Sequence, residues 1–84
     1  MYHTYVLQSQ ADNMFYTGWA VDLKDRIKKH NNREVYSTKN RGPFLLIYYE
    51  ACLNKQDAKN REKYLKSGPG KRFIKNRLKN YLNS

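Results

Sequence analysis

The chain has 84 residues, which is room for one domain with one small core and excludes a second domain of ordinary size. Its 17 Lys and Arg against seven Asp and Glu give a formal charge of +10, which favours a polyanionic partner, above all nucleic acid. Cys52 is the only cysteine, which excludes an internal disulfide and a zinc site built from cysteines.

The first third of the chain predicts a β-hairpin followed by a helix. Residues 2–8 are rich in aromatic and β-branched types, and residues 14–18 resume this extended character after a polar turn. Asp22 is a candidate N-cap for a helix that is expected to end near Asn31 and Asn32.

The rest of the chain predicts a loop, a strand and two helices. Residues 32–42 are polar and without periodicity, whereas FLLIYYE, residues 44–50, is an apolar run typical of a central strand covered on both faces. A second helix is predicted from Asn54 through about Lys66, where SGPG breaks it, and a third from about Lys71. The order β-β-α-β-α-α predicts one α+β domain over residues 1–84, with a three-stranded, mostly antiparallel sheet flanked by three helices.

An arginine and a histidine share the predicted core stripe of the first helix. Leu23, Arg26, Ile27 and His30 fall at i, i+3, i+4 and i+7. One interpretation is a basic pair whose stems lie on apolar surface while their heads reach water. The other is functional, because an arginine fork suits a phosphate oxygen and a histidine moves protons near neutral pH.

Glu62 lies on the face of the second predicted helix that should pack against the sheet. An unpaired buried carboxylate is costly, so it needs a cation, a metal or an open cleft. Either it pairs along its own helix with Lys55, Lys59 or Lys66, or it is a metal ligand.

Tyr5 and Tyr16 are expected to meet across the hairpin. Tyrosine suits a half-buried sheet, which is one explanation for the eight tyrosines of this chain. A phenol also acts as a base when cationic neighbours lower its pKa from about 10, and Arg26 and His30 are the expected neighbours.

Two groups of polar and basic residues are candidate contacts to a phosphate backbone, the alternative being an ordinary solvated face. They are Thr38, Lys39 and Arg41 in the central loop, and Lys71, Arg72 and Lys75 at the expected start of the third helix, where backbone N–H groups also attract anions.

Four segments, in order and at compatible spacing, make the chain similar to a known family. They are HTYVL (3–7), YTG (16–18), DLKDRIKKH (22–30) and NREKYLK (60–66). On these segments the chain resembles a GIY-YIG endonuclease domain, and most closely the small stand-alone members of that superfamily.

The resemblance implies a divalent-metal-dependent endonuclease that hydrolyses DNA phosphodiester bonds. It implies that Tyr5 and Tyr16 are the signature tyrosines and that Arg26 holds the scissile phosphate. It further implies that His30 assists proton transfer and that Glu62 is the single carboxylate ligand of Mg²⁺, or of Mn²⁺ in its place.

The resemblance also has implications for residues outside this set. Thr38 falls in a loop segment similar to the STK or YTR stretch of the family, and Asn76 matches an asparagine of some members. Trp19 stands where some members place a lysine that lowers the pKa of a signature tyrosine. Gly18, which lacks a Cβ, is expected to let a DNA backbone approach.

The expected partner is DNA, with branched or nicked forms as candidate substrates and RNA left open. Two rival functions explain the charge: a non-catalytic nucleic-acid-binding module with the same fold, and a basic protein that packs on a protein or on ribosomal RNA. The sequence has no apolar run near the roughly 20 residues of a membrane span, and its first residues do not resemble a signal peptide. We therefore expect a cytoplasmic protein.

Overall fold

The computed structural model describes residues 1–84 and confirms the predicted α+β class. Three strands and four helices follow in the order β1 (Tyr2–Ser9), β2 (Phe15–Ala20), α1 (Leu23–Asn31), β3 (Phe44–Cys52), α2 (Lys55–Lys66), α3 (Gly68–Arg77) and α4 (Lys79–Leu82). Both strand pairs are antiparallel, and β1 and β2 form the predicted hairpin.

The central strand of the sheet is β1, because the strand order is β2-β1-β3. The prediction that the apolar run of residues 44–50 forms the central strand is wrong, since β3 is an edge strand on which Leu45 and Tyr49 remain about half exposed. A polar residue is tolerated in the centre of β1 because the Thr4 hydroxyl donates to the carbonyl of Ala58, 3.0 Å away. Hydrophobicity alone therefore does not identify β1 as the central strand of the sheet.

The pairing of β1 with β3 shifts register between Val6 and Leu7, and side chains of β3 contribute to the core clusters on both faces of the sheet. Tyr48 pairs with Val6 and Leu46 pairs with Leu7, so Ile47 is the extra residue of a bulge. One core cluster, packed against α1, contains Tyr5, Leu7, Ala20, Phe44, Leu23, Ile27 and Leu46. The other, packed against α2 and α3, contains Val6, Leu65, Ile74, Ile47, Tyr48 and Phe73.

The N-caps predicted for α1 and α2 are confirmed. The Asp22 carboxylate accepts the Asp25 N–H at 3.0 Å, and the Asn54 side chain accepts the Gln56 N–H at 2.8 Å. These bonds satisfy N–H groups that the first turn of a helix leaves free. They fix where α1 and α2 begin, and so where Arg26 and Glu62 lie along each helix.

The third helix begins at Gly68, earlier than the predicted Lys71. The Ser67 hydroxyl accepts the Gly70 N–H at 3.2 Å and caps α3, so the SGPG segment starts a helix as well as ending one. A Cβ on Gly70 would collide with the backbone of Tyr64 and Leu65. Glycine at this position therefore lets α3 pack closely on the end of α2.

The end of the chain forms a short helix of its own. Leu78 separates α3 from α4, and the Tyr81 hydroxyl ties α4 to β1 by donating to the Gln8 side-chain oxygen at 2.7 Å. The predicted third helix is thus divided in two, which makes four helices in place of three. No helix has both the length and the apolar character that a membrane span requires.

Candidate active site

A chain of three hydrogen-bonded side chains lies between the sheet and α1. The Tyr5 hydroxyl is 2.8 Å from Nε2 of His30, and Nδ1 of His30 is 2.7 Å from the Thr38 hydroxyl. The three side chains are buried, with Tyr5 1% exposed and the other two 0%. Strand β1, helix α1 and the loop after α1 each contribute one member, so the chain forms only when the domain folds.

Gly18 makes room for the Tyr5 side chain. It pairs with Tyr5 across the hairpin, and a Cβ at Gly18 would lie 2.5 Å from the Tyr5 hydroxyl oxygen. Gly18 is itself buried. The close neighbour that requires glycine is therefore the Tyr5 phenol, and not the DNA backbone that the sequence suggested.

Replacing Gly18 by alanine is expected to displace the Tyr5 ring and break its bond to His30. The hydroxyl cannot yield without moving a buried ring, so the variant should lose about 1–3 kcal/mol of stability, as is typical of an overpacked core. Denaturant unfolding of Gly18→Ala beside Gly68→Ala tests this, because Gly68 is exposed and its added Cβ meets only the end of the Arg72 side chain. Equal losses in the two variants would contradict the explanation.

Tyr5 is a weaker acid than a free tyrosine. Burial raises the pKa of Tyr5 above its usual value, and the positive charge of Arg26 only partly opposes this effect. Tyr16 and Glu62 raise the pKa of Tyr5 further. With its pKa raised, the Tyr5 phenol stays protonated at neutral pH.

His30 is neutral at pH 7 and does not act as the expected cationic neighbour of Tyr5. Burial, aided by the positive charge of Arg26, lowers the pKa of His30 to about 4. The neutral ring can instead accept a hydrogen bond, and through Nε2 it can accept the proton of the Tyr5 hydroxyl. Of the two cations expected beside Tyr5, only Arg26 remains.

The stability of the protein is expected to fall as the pH drops from 6.5 towards 4, because the unfolded chain protonates His30 there and the folded chain does not. His30→Gln should show a shallower loss over this range, by at most about 1.4 kcal/mol per pH unit. His3→Gln is the matched control and should keep the steep wild-type slope. The measurement is denaturant unfolding between pH 7 and pH 4, and parallel curves for His30→Gln and wild type would contradict the assignment.

Arg26 and Tyr16 flank this chain with groups that remain free to bind an anion. Arg26 forms no ion pair, and its Nε is buried without a hydrogen-bond partner in the protein. The Tyr16 ring packs edge-on against His30, with ring centres 5.0 Å apart. The Tyr16 hydroxyl oxygen accepts from the Ser37 hydroxyl at 3.4 Å, which leaves the phenol hydrogen available as a donor.

Glu62 lies on α2 with its side chain 21% exposed, 3.6 Å from the Lys66 ammonium. The predicted pairing of Glu62 along its own helix is therefore observed, but Lys66 is about half exposed and such pairs are weak. No point of the structure gathers three His, Cys, Asp or Glu side chains. A Mg²⁺-type cation accepts carboxylate, phosphate and water oxygens, so Glu62 fits as one ligand of a site that a substrate phosphate and waters complete.

Trp19 lies on the other face of the sheet from the Tyr5 phenol. It pairs with Thr4, whose side chain is bonded to α2, and side chains alternate between the faces of a strand. The ammonium of Lys55 lies 5.4 Å from the centre of the Trp19 ring. The residue that replaces a lysine of some family members therefore packs with a lysine from α2.

The predicted phosphate contacts of the central loop divide into buried and exposed residues. Thr38 is fully buried on His30, so its hydroxyl is not placed to meet a phosphate backbone. Lys39 is exposed with its ammonium 4.6 Å from the centre of the Tyr36 ring, and Arg41 lies 5.9 Å from the Phe44 ring. Only Lys39 and Arg41 of this group remain candidates for contact with a nucleic acid.

The predicted contacts on α3 lie mostly along a basic groove. A cavity of about 200 Å³ between β2 and the helices is lined by Tyr16, Lys66 and Lys71 among others. A second, of about 270 Å³, shares Lys71 with it and adds Lys75, and no carboxylate lines either one. We call this the lysine groove, formed by Lys66, Lys71 and Lys75 beside β2.

Two predicted residues of α3 lie outside the hydrogen-bonded site. Arg72 and Asn76 are exposed, and no side-chain hydrogen bond links them to Tyr5, His30 or Glu62. Anions are attracted to the first N–H groups of a helix. Since α3 begins at Gly68, Lys71 and Arg72 lie beyond those first groups. Ser37, which contacts Tyr16, was missed because a serine in a polar loop carries no sequence signal.

Comparisons with known proteins show the family of the chain. Residues 1–76 match the family described as the GIY-YIG catalytic domain. A UPF0213 protein of Clostridium perfringens is 43% identical over 67 residues, which cover 79% of this chain and 71% of that protein. A UPF0213 protein of Pediococcus acidilactici is 37% identical over 77 residues, 88% of this chain and 78% of that protein.

A further UPF0213 protein, from Staphylococcus saprophyticus, is 37% identical over 67 residues, which cover 79% of this chain and 80% of that protein. No solved structure gives a significant match. The family match spans most of the chain and includes both hairpin strands, α1 and α2. The chain therefore belongs to the GIY-YIG family.

Proposed function

We propose that this protein is an endonuclease that hydrolyses phosphodiester bonds of DNA. The observation that carries the proposal is the Tyr5 phenol, which is hydrogen-bonded at 2.8 Å to the buried His30 imidazole, with the Tyr16 ring packed against His30. A core without function has no need of a guanidinium whose Nε is buried and unpartnered, because such a group costs free energy. A phosphate oxygen is a natural partner for the guanidinium, because the Arg26 residue as a whole is only partly buried.

In the proposed reaction, a water oxygen forms a bond to phosphorus and the bond from phosphorus to the 3′ oxygen breaks. The water gives its proton to the Tyr5 oxygen while the Tyr5 proton moves to Nε2 of His30. This order avoids a free phenolate, which the burial of Tyr5 disfavours. The departing 3′ oxygen takes a proton from solvent, so the products carry a 3′ hydroxyl and a 5′ phosphate.

Arg26 links substrate binding to the strength of the base. Its positive charge is one cause of the low pKa of His30, after burial. A phosphate paired with the guanidinium opposes this charge, so substrate binding raises the pKa of His30. The imidazole thereby becomes a better proton acceptor only when a phosphate is in place.

Glu62 would hold the divalent cation that the family implies, Mg²⁺ or Mn²⁺, whose chemistry is to stabilise negative charge on the departing 3′ oxygen. The chain's own residues bind and orient the phosphate. Arg26 offers hydrogen bonds to the non-bridging oxygens, and the Tyr16 hydroxyl, held by Ser37, donates to the phosphate or to the attacking water.

The lysine groove supports a nucleic acid as substrate. It continues from Tyr16 along β2, and its lysines, together with Lys39 and Arg41 of the loop after α1, offer positive charge to a nucleic acid. Phosphate contacts of this kind give affinity without sequence specificity, and they weaken steeply with salt. Branched and nicked DNA are the candidate substrates, and the cytoplasm is the proposed location.

The experiment that tests the function uses plain, nicked and branched DNA and single-stranded RNA, each with Mg²⁺ or Mn²⁺. Wild type is compared with Glu62→Ala and Arg26→Ala, and binding is followed by fluorescence anisotropy. We expect wild type to cleave at least one DNA substrate, and Glu62→Ala to bind it without cleavage. Binding by all three proteins with cleavage by none would leave the non-catalytic nucleic-acid-binding module, which the charge of +10 also explains.

A further inference from the structure

In the loop after α1, the side chain of one threonine is buried beside the site. Thr38 is 0% exposed, although its neighbours Ser37 and Lys39 are exposed. Its hydroxyl lies 2.7 Å from Nδ1 of His30 and 3.4 Å from the Val35 carbonyl oxygen. The Thr38 hydroxyl is therefore the last member of the hydrogen-bonded series Tyr5, His30, Thr38.

We propose that Thr38 positions His30 for proton transfer by fixing which ring nitrogen carries the hydrogen. Thr38 touches neither the phosphate nor the water, so it is a positioning residue and acts through His30. The proposal rests on the proposed nuclease function for its kinetic consequence, but its structural content can be measured on the free protein.

We assign the direction of each hydrogen bond from the Val35 carbonyl, the one neighbouring group that cannot donate. The Val35 carbonyl is only an acceptor, so the Thr38 O–H points to it and a lone pair of the Thr38 oxygen faces His30. Nδ1 of His30 therefore carries the hydrogen and donates it to Thr38. Nε2 is left with its lone pair towards the Tyr5 hydroxyl.

This tautomer is the one that the reaction needs. With Nε2 unprotonated, His30 accepts the Tyr5 proton in one step, and the resulting imidazolium keeps its Nδ1–H bond to Thr38. In the opposite tautomer Nε2–H would donate to the Tyr5 oxygen, and His30 could not take up a proton there. Without the Thr38 hydroxyl, nothing at Nδ1 favours the productive form.

The first test is the ¹⁵N NMR signature of the histidine ring at pH 7. Wild type is expected to show His30 protonated at Nδ1, with His3→Gln used to assign the signals. Thr38→Val, which keeps the shape of the side chain and removes the hydroxyl, should shift His30 towards the Nε2–H form. Thr38→Ser restores the hydroxyl and should restore the wild-type signature. Protonation at Nε2 in wild type, or an unchanged tautomer in Thr38→Val, would overturn the proposal.

The second test is kinetic and separates positioning from folding. Thr38→Val should lower kcat by about tenfold to a hundredfold, with KM unchanged because Thr38 does not meet the substrate. Thr38→Ser should recover most of this loss. Thr4→Val is the matched control, since it also removes a buried hydroxyl bonded to a backbone carbonyl, on the opposite face of β1.

The outcomes distinguish this proposal from the proposed function. If Thr4→Val and Thr38→Val lose kcat equally, Thr38 has only a structural role. If Thr38→Val does not fold, two results still test the proposal: the tautomer of His30 in wild type, and whether Thr38→Ser keeps the wild-type NMR signature and kcat. If wild type shows the Nδ1–H tautomer but cleaves no nucleic acid, the nuclease function fails while the assignment of the hydrogen bonds stands.

Discussion

Replacing Arg26 by lysine is expected to lower kcat for DNA cleavage by about a hundredfold or more, with the fold retained. Lysine keeps the charge but loses the fork that can hold two phosphate oxygens at once. Because Nε of Arg26 has no partner in the protein, the substitution breaks no hydrogen bond of that atom. The measurements are kcat and the melting temperature, and the melting temperature should not fall.

Arg33→Lys is the matched control for Arg26→Lys. Arg33 lies just beyond α1 and is exposed, so the same chemical change there should leave kcat within the error of the assay. Wild-type turnover in Arg26→Lys would show that the guanidinium fork is not used. A similar loss in both variants would point to general electrostatic attraction of the substrate.

Tyr5→Phe is expected to lower kcat by about a hundredfold to ten-thousandfold, the range typical of a lost acid–base group. The ring stays in the core, but the proton path from water to His30 is cut. Nε2 of His30 also loses its 2.8 Å partner, and an unsatisfied buried group costs about 1–3 kcal/mol of stability. Cleavage assays and denaturant unfolding of the same preparation measure both effects.

Tyr49→Phe is the matched control for Tyr5→Phe. Tyr49 pairs with Tyr5 across β1 and β3, but its side chain is about half exposed. The substitution should change neither kcat nor stability by a comparable amount. If Tyr5→Phe cleaves DNA at the wild-type rate, Tyr5 and His30 do not carry the proton of the attacking water.

Local signals in the sequence predicted most of the secondary structure, because the groups that decide it are close along the chain. Asp22 and Asn54 cap helices within a turn of themselves, and the hairpin needs only two extended segments and a polar turn. The strand order depends instead on pairing between distant segments, which hydrophobicity does not report. The start of α3 at Gly68 depends on the Ser67 hydroxyl, whereas the SGPG segment in the sequence indicates only a helix break.

The candidate site shows the same division between local and distant determinants. Arg26, His30 and Glu62 are candidates because polar residues on a predicted core face are visible in one sequence, and the structure places His30 2.8 Å from the Tyr5 hydroxyl. The sequence does not indicate the protonation state of His30, since its neutral form results from burial after folding. Thr38 was placed on the surface because nothing in a polar loop indicates which residue turns inward.

The proposed roles of these side chains meet in one reaction, and the ends of its products are the sharpest test of them. DNA labelled at either end is incubated with Mg²⁺ and wild type or Glu62→Gln, and both the cut strands and their end groups are analysed. We expect wild type to leave 5′ phosphate and 3′ hydroxyl ends, whereas Glu62→Gln should bind the same DNA and leave it uncut. Absence of product from wild type, or identical product from both proteins, would contradict these roles.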